Sequence, residues 1–185
     1  TIQLAVEYHR AGGGIAVTAS HNPVEWNALK FIGPDGIFLG QADGARVHRL
    51  VVEGGGRLGK AGKVATDDGA IERHLAAVLA LPALGVERLR ARQFTVALDA
   101  VRGAGGPIMQ ALLERLGCRV TGINLETDGR FPRAPEPVPE NLGALAALVG
   151  RIGADIGIAV DPDVDRLAAC VRDRNLHADL IAGTH

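Results

Sequence analysis

Aromatic residues make up 3% of this chain, one Trp, one Tyr and four Phe, and no stretch of it is rich in Lys or Arg. With a formal net charge of −1, it has neither the basic stripe and stacking side chains that nucleic acid demands nor a polybasic face for an anionic membrane. Nucleic acid and membrane are therefore set aside as partners. Cysteine is scarce too. Cys118 and Cys170 are far apart and embedded in apolar runs, so buried free thiols in a reducing compartment outrank a disulfide, which points to the cytoplasm. Long apolar runs are missing: the longest, Leu75 to Val86, is broken by Pro82 and is expected to form a core-facing helix, not a membrane span. No signal-peptide pattern is visible. The chain starts at Thr1, and residues 2 to 9 already read as the middle of an amphipathic helix. It is expected to be a piece of a longer polypeptide.

What is present is enough apolar material, 47% of 185 residues, for one large domain or two small ones. Residues 15 to 19 read as a strand. Leu29 to Ile32 and Ile37 to Leu39 read as two arms of a hairpin over Gly33-Pro34-Asp35-Gly36, and residues 41 to 53 as a helix. The glycine-rich stretch from Gly54 to Lys63 has the composition of a linker. A domain boundary is placed just after it, giving domains 1–65 and 66–185. Beyond it, a helix from Asp67-Asp68 to about Leu81 is followed by strands at 94–98, 118–123, 156–160 and 166–171. Helices at 107–116 and 142–152 lie between them. Strands alternating with ten-residue helices predict βαβ units. The expected fold class is α/β: two α/β units with mixed, mainly parallel sheets flanked by helices in three αβα layers. Phe131 to Pro139 carries four prolines and must be an extended loop.

Two segments carry chemistry. Thr18-Ala19-Ser20-His21-Asn22-Pro23 and Asp161-Pro162-Asp163-Val164-Asp165-Arg166 each follow an apolar strand, so each sits where open α/β sheets build their sites. Three carboxylates at alternate positions repel one another unless a divalent cation shares them, and an all-oxygen ligand set favours Mg²⁺. Calcium in an EF-hand is excluded, because that loop needs Gly at its sixth position and Glu at its twelfth, where Arg166 and Arg172 stand. Two glycine-rich stretches are weaker signals. Gly54 to Lys60 matches the start of a P-loop but lacks the following Ser or Thr. Gly103-Ala104-Gly105-Gly106 imitates a dinucleotide turn, but Ile108 stands where its third glycine belongs. A solvated loop and a tight strand-to-helix turn are the better accounts.

Thr18 to Pro23 resembles the active-site serine loop of the α-D-phosphohexomutases, the family of phosphoglucomutase, phosphomannomutase and phosphoglucosamine mutase. Asn27 with Lys30 resembles the lysine segment after it. Gly103–Gly106, Asp128-Gly129-Arg130-Phe131-Pro132, Pro135-Glu136-Pro137 with Glu140-Asn141-Leu142, and Asp161–Arg166 resemble later family segments, in the family's order. The resemblance covers residues 1 to 172. It implies that Ser20 is the phosphoserine and contributes to the metal site, and that Asp161, Asp163 and Asp165 bind one Mg²⁺. It further implies that Lys30 is a general acid or base, and that Arg166 and His21 support the phosphate. The implied activity is intramolecular phosphotransfer between the 1- and 6-positions of a hexose phosphate, with a bisphosphate intermediate and a glucose 1,6-bisphosphate-type activator. The implied partners are the hexose phosphate and the missing domains of the same polypeptide, because the family uses four domains. This chain would hold the later part of the first and most or all of the second. It departs from the pattern at Pro162 and Val164, where the family usually has glycines, and its tail from Asp173 matches nothing in it. Two other readings stay open: a Mg²⁺ phosphatase with Asp161 as nucleophile, and a sugar-phosphate binding module without chemistry.

Overall fold

The computed structural model describes residues 1–23, 25–54, 59 and 62–171. Most of the Gly54–Lys63 stretch, the P-loop-like match within it, and the tail from Arg172 onward lie outside the described residues. The chain divides into two compact units. One holds 1–17 and 29–78, the other 18–28 and the described residues from Leu79 onward.

The first unit contains α1 (Ile2–Tyr8), the two-stranded sheet of β1 (Gly14–Thr18) and β2 (Ala28–Ile32), α2 (Gln41–Val52) and α3 (Ala70–Leu79). The strands meet the unit's edges at Thr18 and Ala28, which group with the second unit. Val6, Ile32 and Leu75 are its buried apolar residues. The expected hairpin is short. The Gly33 amide closes onto the Ile37 carbonyl at 2.7 Å and the Leu39 amide onto Phe31 at 3.0 Å, with a single antiparallel bridge, Ile32 to Phe38. Ile15, Val17 and Leu29 on the two strands are more than half exposed. Arg73 of α3 packs its guanidinium over the Tyr8 ring, 3.9 Å from the centroid, and pairs with Asp67.

The second unit is the regular one. After α4 (Val86–Arg92) come β3 (Thr95–Asp99), α5 (Gly105–Arg115), β4 (Arg119–Ile123), α6 (Gly143–Ile152), β5 (Ile156–Val160) and β6 (Leu167–Cys170). The strand order is β4-β3-β5-β6. β3 runs parallel to both β4 and β5, with Val96 opposite Val120 on one side and Ile156 on the other, and β6 closes the edge antiparallel to β5. The period of two in the strands sorts the core. Ala97 and Ala159 face Leu145, Leu148 and Val149 of α6, while Val96 and Leu98 face Leu113 of α5 with Ile156 and Ile158 beside them. Helices on both faces of a mainly parallel sheet give the expected α/β fold. From β3 the chain goes first to β4 on one side and later to β5 on the other. The carboxyl ends of β3 and β5 therefore flank a topological switch point.

Three points differ from the sequence expectations. Helix α5 starts at Gly105, two residues before Pro107, which takes a first-turn position where its missing N–H costs nothing. Helix α4 was not foreseen. Cys170 is buried as expected, but Cys118 is half-buried; both are free thiols. No helix among the described residues is long and apolar enough to cross a membrane.

Candidate metal and serine site

Strand β5 ends at Val160, and the chain turns at once through Asp161 to Arg166 into β6. Asp161 is fully buried. Its Oδ1 accepts the amides of Asp165 at 3.0 Å and Arg166 at 3.1 Å, which curls the turn around the carboxylate. Its Oδ2 is buried without a hydrogen-bond partner among the described residues. An orphaned buried carboxylate oxygen is costly, and burial is the first cause that pushes the Asp161 carboxyl up to about 7, the charges of Asp163 and Asp165 adding to it. One carboxylate oxygen from each of Asp161, Asp163 and Asp165 lies within 4.8 Å of the other two. A hard divalent cation fits this donor set: it would supply the partner that Oδ2 lacks and offset the mutual repulsion.

Val164, between the second and third aspartates, has φ of 66°. A β-branched residue in the left-handed region is strained, and glycine would relieve that strain. Pro162 donates nothing, but its carbonyl accepts the Ala104 amide at 2.8 Å, joining the turn to the β3–α5 connection. That close approach accounts for Gly103 and Gly105, and a second one, to Leu125, for Gly106. A Cβ on Gly103 would lie 2.5 Å from Pro162 Cα and one on Gly105 2.8 Å from Val160 Cγ2, while one on Gly106 would run into the Leu125 carbonyl oxygen. The protein's own backbone fills the space a dinucleotide would need. Gly103 and Gly105 seat the acidic turn, and Gly106 lets α5 pack against the backbone at Leu125.

The serine loop groups with this same unit. Ser20 has φ of 52°, a strained conformation of the kind that clusters at functional sites. Thr18 holds it: the Ser20 amide donates to Thr18 Oγ1 at 2.8 Å, and Thr18 Oγ1 donates to Asp163 Oδ2 at 2.9 Å. One hydroxyl thus links the backbone of Ser20 to a carboxylate of the acidic turn. His21 Nδ1 lies 3.3 Å from Ser20 Oγ. Arg166 donates through Nη1 to Glu136 Oε1 at 2.6 Å. Lys30 stands on β2 in the first unit, in a groove lined by Phe31, Phe38, Val47 and Val51. The structure therefore brings together Ser20, His21 and Asp163 with the rest of the turn, whereas Lys30 belongs to the other compact unit.

With the serine loop and the strand-end carboxylates in view, comparison with known proteins becomes specific. Residues 72–174 match the model of phosphoglucomutase/phosphomannomutase alpha/beta/alpha domain II, and residues 1–54 that of alpha/beta/alpha domain I. The chain belongs to the phosphoglucomutase/phosphomannomutase family. Among relatives, a phosphoglucomutase/phosphomannomutase of Thermococcus kodakarensis is 36% identical over 89% of this chain. A candidate phosphoglucosamine mutase of Methanosarcina barkeri is 39% identical over 84%. The chain spans 36% and 35% of those two proteins' lengths. Of solved structures, a candidate phosphomannomutase from Thermus thermophilus matches with a TM-score of 0.80 at 28% identity, covering 92% of this chain and 39% of that one. A phosphoglucomutase/phosphomannomutase family protein from Burkholderia thailandensis gives 0.67 at 29%, covering 88% and 34%.

Sequence reasoning missed several residues around this candidate site. Thr18 has no signal of its own in the sequence beyond its place in the serine-loop motif. Asp99, fully buried at the end of β3, repeats the strand-end pattern of Asp161, and a carboxylate closing an apolar strand was the available signal for a buried partner. That partner is Arg133, at 2.7 Å. Arg102 pairs with Asp128 and holds its carboxyl well below the usual carboxylate range.

Proposed function

We propose that this chain carries the phosphoryl-donor half of a phosphohexomutase, an isomerase whose whole polypeptide interconverts hexose 1-phosphate and hexose 6-phosphate through a phosphoserine and a bisphosphate intermediate. The observation that carries the reading is Thr18, whose hydroxyl binds the Ser20 amide and Asp163 together. In this reading Ser20 Oγ holds the phosphoryl group, gives it to the sugar hydroxyl, and receives the sugar's other phosphate after the intermediate reorients. His21 Nδ1 and Arg166 stabilise the charge on the transferring group, and Lys30 exchanges the proton of the attacking hydroxyl. Asp161, Asp163 and Asp165 with an oxygen on Ser20 would hold one Mg²⁺, which when bound neutralises the charge that builds up in phosphoryl transfer. The orphaned Asp161 oxygen supports that assignment. Residues 1–65 are assigned to the first family domain and 66–185 to the second, in the cytoplasm. Exposed Ile15, Val17 and Leu29 and the one-third coverage of the relatives support further domains of the same polypeptide as partners. Those domains would clamp the sugar and its distal phosphate.

The test is intact mass after incubating the full chain with Mg²⁺ and glucose 1,6-bisphosphate. One stable phosphoryl group is expected, mapped to Ser20 and lost in Ser20→Ala. A labile adduct on Asp161 would instead mark a phosphatase, and Mg²⁺ binding without any adduct a binding module. Full mutase turnover by this chain alone would contradict its role as a half-site, since in this reading the clamp on the far end of the substrate belongs to the other domains.

A further inference from the structure

The proline-rich loop from Phe131 to Pro139 touches the acidic turn at both of its ends. At the entry, the side chain of Arg133 is only 10% exposed. Its Nε donates to Asp99 Oδ2 at 2.7 Å, and its Nη2 donates at 3.2 Å to the carbonyl of Val160, the residue that hands the chain over to Asp161. Its Nη1 donates to the carbonyls of Ala134 and Pro135, at 2.9 and 3.2 Å, folding the loop around its own guanidinium. Asp99 is completed by the Val101 amide at 2.9 Å and Asn124 Nδ2 at 3.0 Å. At the exit of the turn, Glu136 Oε1 accepts Arg166 at 2.6 Å, and the Glu136 carbonyl accepts Asn141 Nδ2 at 2.8 Å.

A buried guanidinium–carboxylate pair persists only when its geometry and remaining hydrogen bonds are well satisfied, and hydrophobic replacements often hold a fold as well. What an apolar pair cannot do is fix the direction of a strand-end carbonyl. Arg133 fixes that of Val160, and with it the line on which Asp161 leaves the sheet. Glu136 fixes the far end through Arg166.

We propose that Arg133 and Glu136 are positioning residues that make the 131–139 loop a clamp on the acidic turn, holding its three aspartates at the spacing a small octahedral cation requires. This rests on the reading of the turn as a metal site. Mg²⁺ demands near-ideal octahedral geometry at about 2.0–2.1 Å, whereas Ca²⁺ accepts irregular shells at about 2.3–2.6 Å. A loosened turn therefore loses Mg²⁺ more than it loses Ca²⁺.

The experiment is calorimetric titration of the full chain with Mg²⁺ and, separately, Ca²⁺, in the wild type, Arg133→Lys and Glu136→Gln. Circular dichroism reports folding. Arg133→Lys keeps the charge for Asp99 but loses the fork that also reaches Val160. Glu136→Gln is at a partly exposed position and keeps the shape. Each variant is expected to bind Mg²⁺ about tenfold more weakly, the scale for partners that orient metal ligands, with a smaller loss for Ca²⁺. Unchanged affinities, or equal losses for both ions, would overturn the clamp. A wild-type chain that binds neither ion would overturn the metal reading beneath it.

Discussion

Replacing Gly103 with alanine tests whether the β3–α5 turn is the seat of the acidic turn. The added Cβ would stand 2.5 Å from Pro162 Cα and 2.6 Å from its carbonyl oxygen, where ordinary contact begins at 3.4 Å. Both neighbours are backbone, so no side chain can swing away, and one segment must move by roughly an ångström. That movement also strains the Ala104-to-Pro162 hydrogen bond of 2.8 Å. Overpacking of this kind costs about 1–3 kcal/mol. The rigid neighbours put Gly103→Ala at the upper end, about 2–3 kcal/mol. In urea denaturation followed by circular dichroism, the midpoint should fall by about 1–2 M with an unchanged slope. Mg²⁺ affinity should fall as well, because the displaced Pro162 lies between Asp161 and Asp163. A variant that matches the wild type in both midpoint and Mg²⁺ affinity would refute the reasoning.

Gly150→Ala is the matching control: it is an exposed position inside α6 with open space around the new Cβ, so stability should rise by about 0.5–1 kcal/mol, read from the same denaturation curve. Thr18→Val removes the hydroxyl shared by the Ser20 amide and Asp163, and should cost about 1–2 kcal/mol and weaken Mg²⁺ binding, whereas Thr18→Ser should keep both; equal behaviour of the two variants in denaturation and titration would sink the bridging role. Asp161 gives a pH dependence. Its folded value of about 7 lies above the unfolded one, so the stability it contributes to the metal-free chain is present at low pH and lost as pH rises through 7. Mg²⁺ must displace that proton, so its affinity should be about tenfold weaker at pH 6 than at pH 8. Calorimetry in buffers of different ionisation heat counts the released proton, and a flat profile would count against it.

The βαβ core was legible because its strands are apolar runs of five residues separated by helices with clear stripes, and the aspartates followed from their place just past β5. Helix α4 left no such trace. It has seven residues, four of them charged, too short and too polar for periodicity to register. The antiparallel return of β6 could be read from its connection, since the six residues between β5 and β6 are too few for a parallel crossover. The Asp99–Arg133 pair spans 34 residues and its cation sits where prolines suppress any periodic signal. Only the sheet, by bringing the ends of β3 and β5 side by side, gives that one guanidinium both Asp99 and the Val160 carbonyl to hold. Gly103–Gly106 was visible as a motif but not as a seat, because what Gly103 and Gly105 make room for, Pro162, Val160 and Val164, lies almost 60 residues later in the chain.

The central claim is that Ser20 and the three aspartates form one site. Calorimetric titration of Mg²⁺ into the full chain, with Ser20 phosphorylated and with it dephosphorylated, tests this most directly. Tighter binding by the phosphorylated chain is expected, within the roughly 5–150-fold range of coupled sites, and Asp163→Asn should remove the difference. Equal Mg²⁺ affinity in the two forms would mean that the serine and the metal act apart, and would contradict the account.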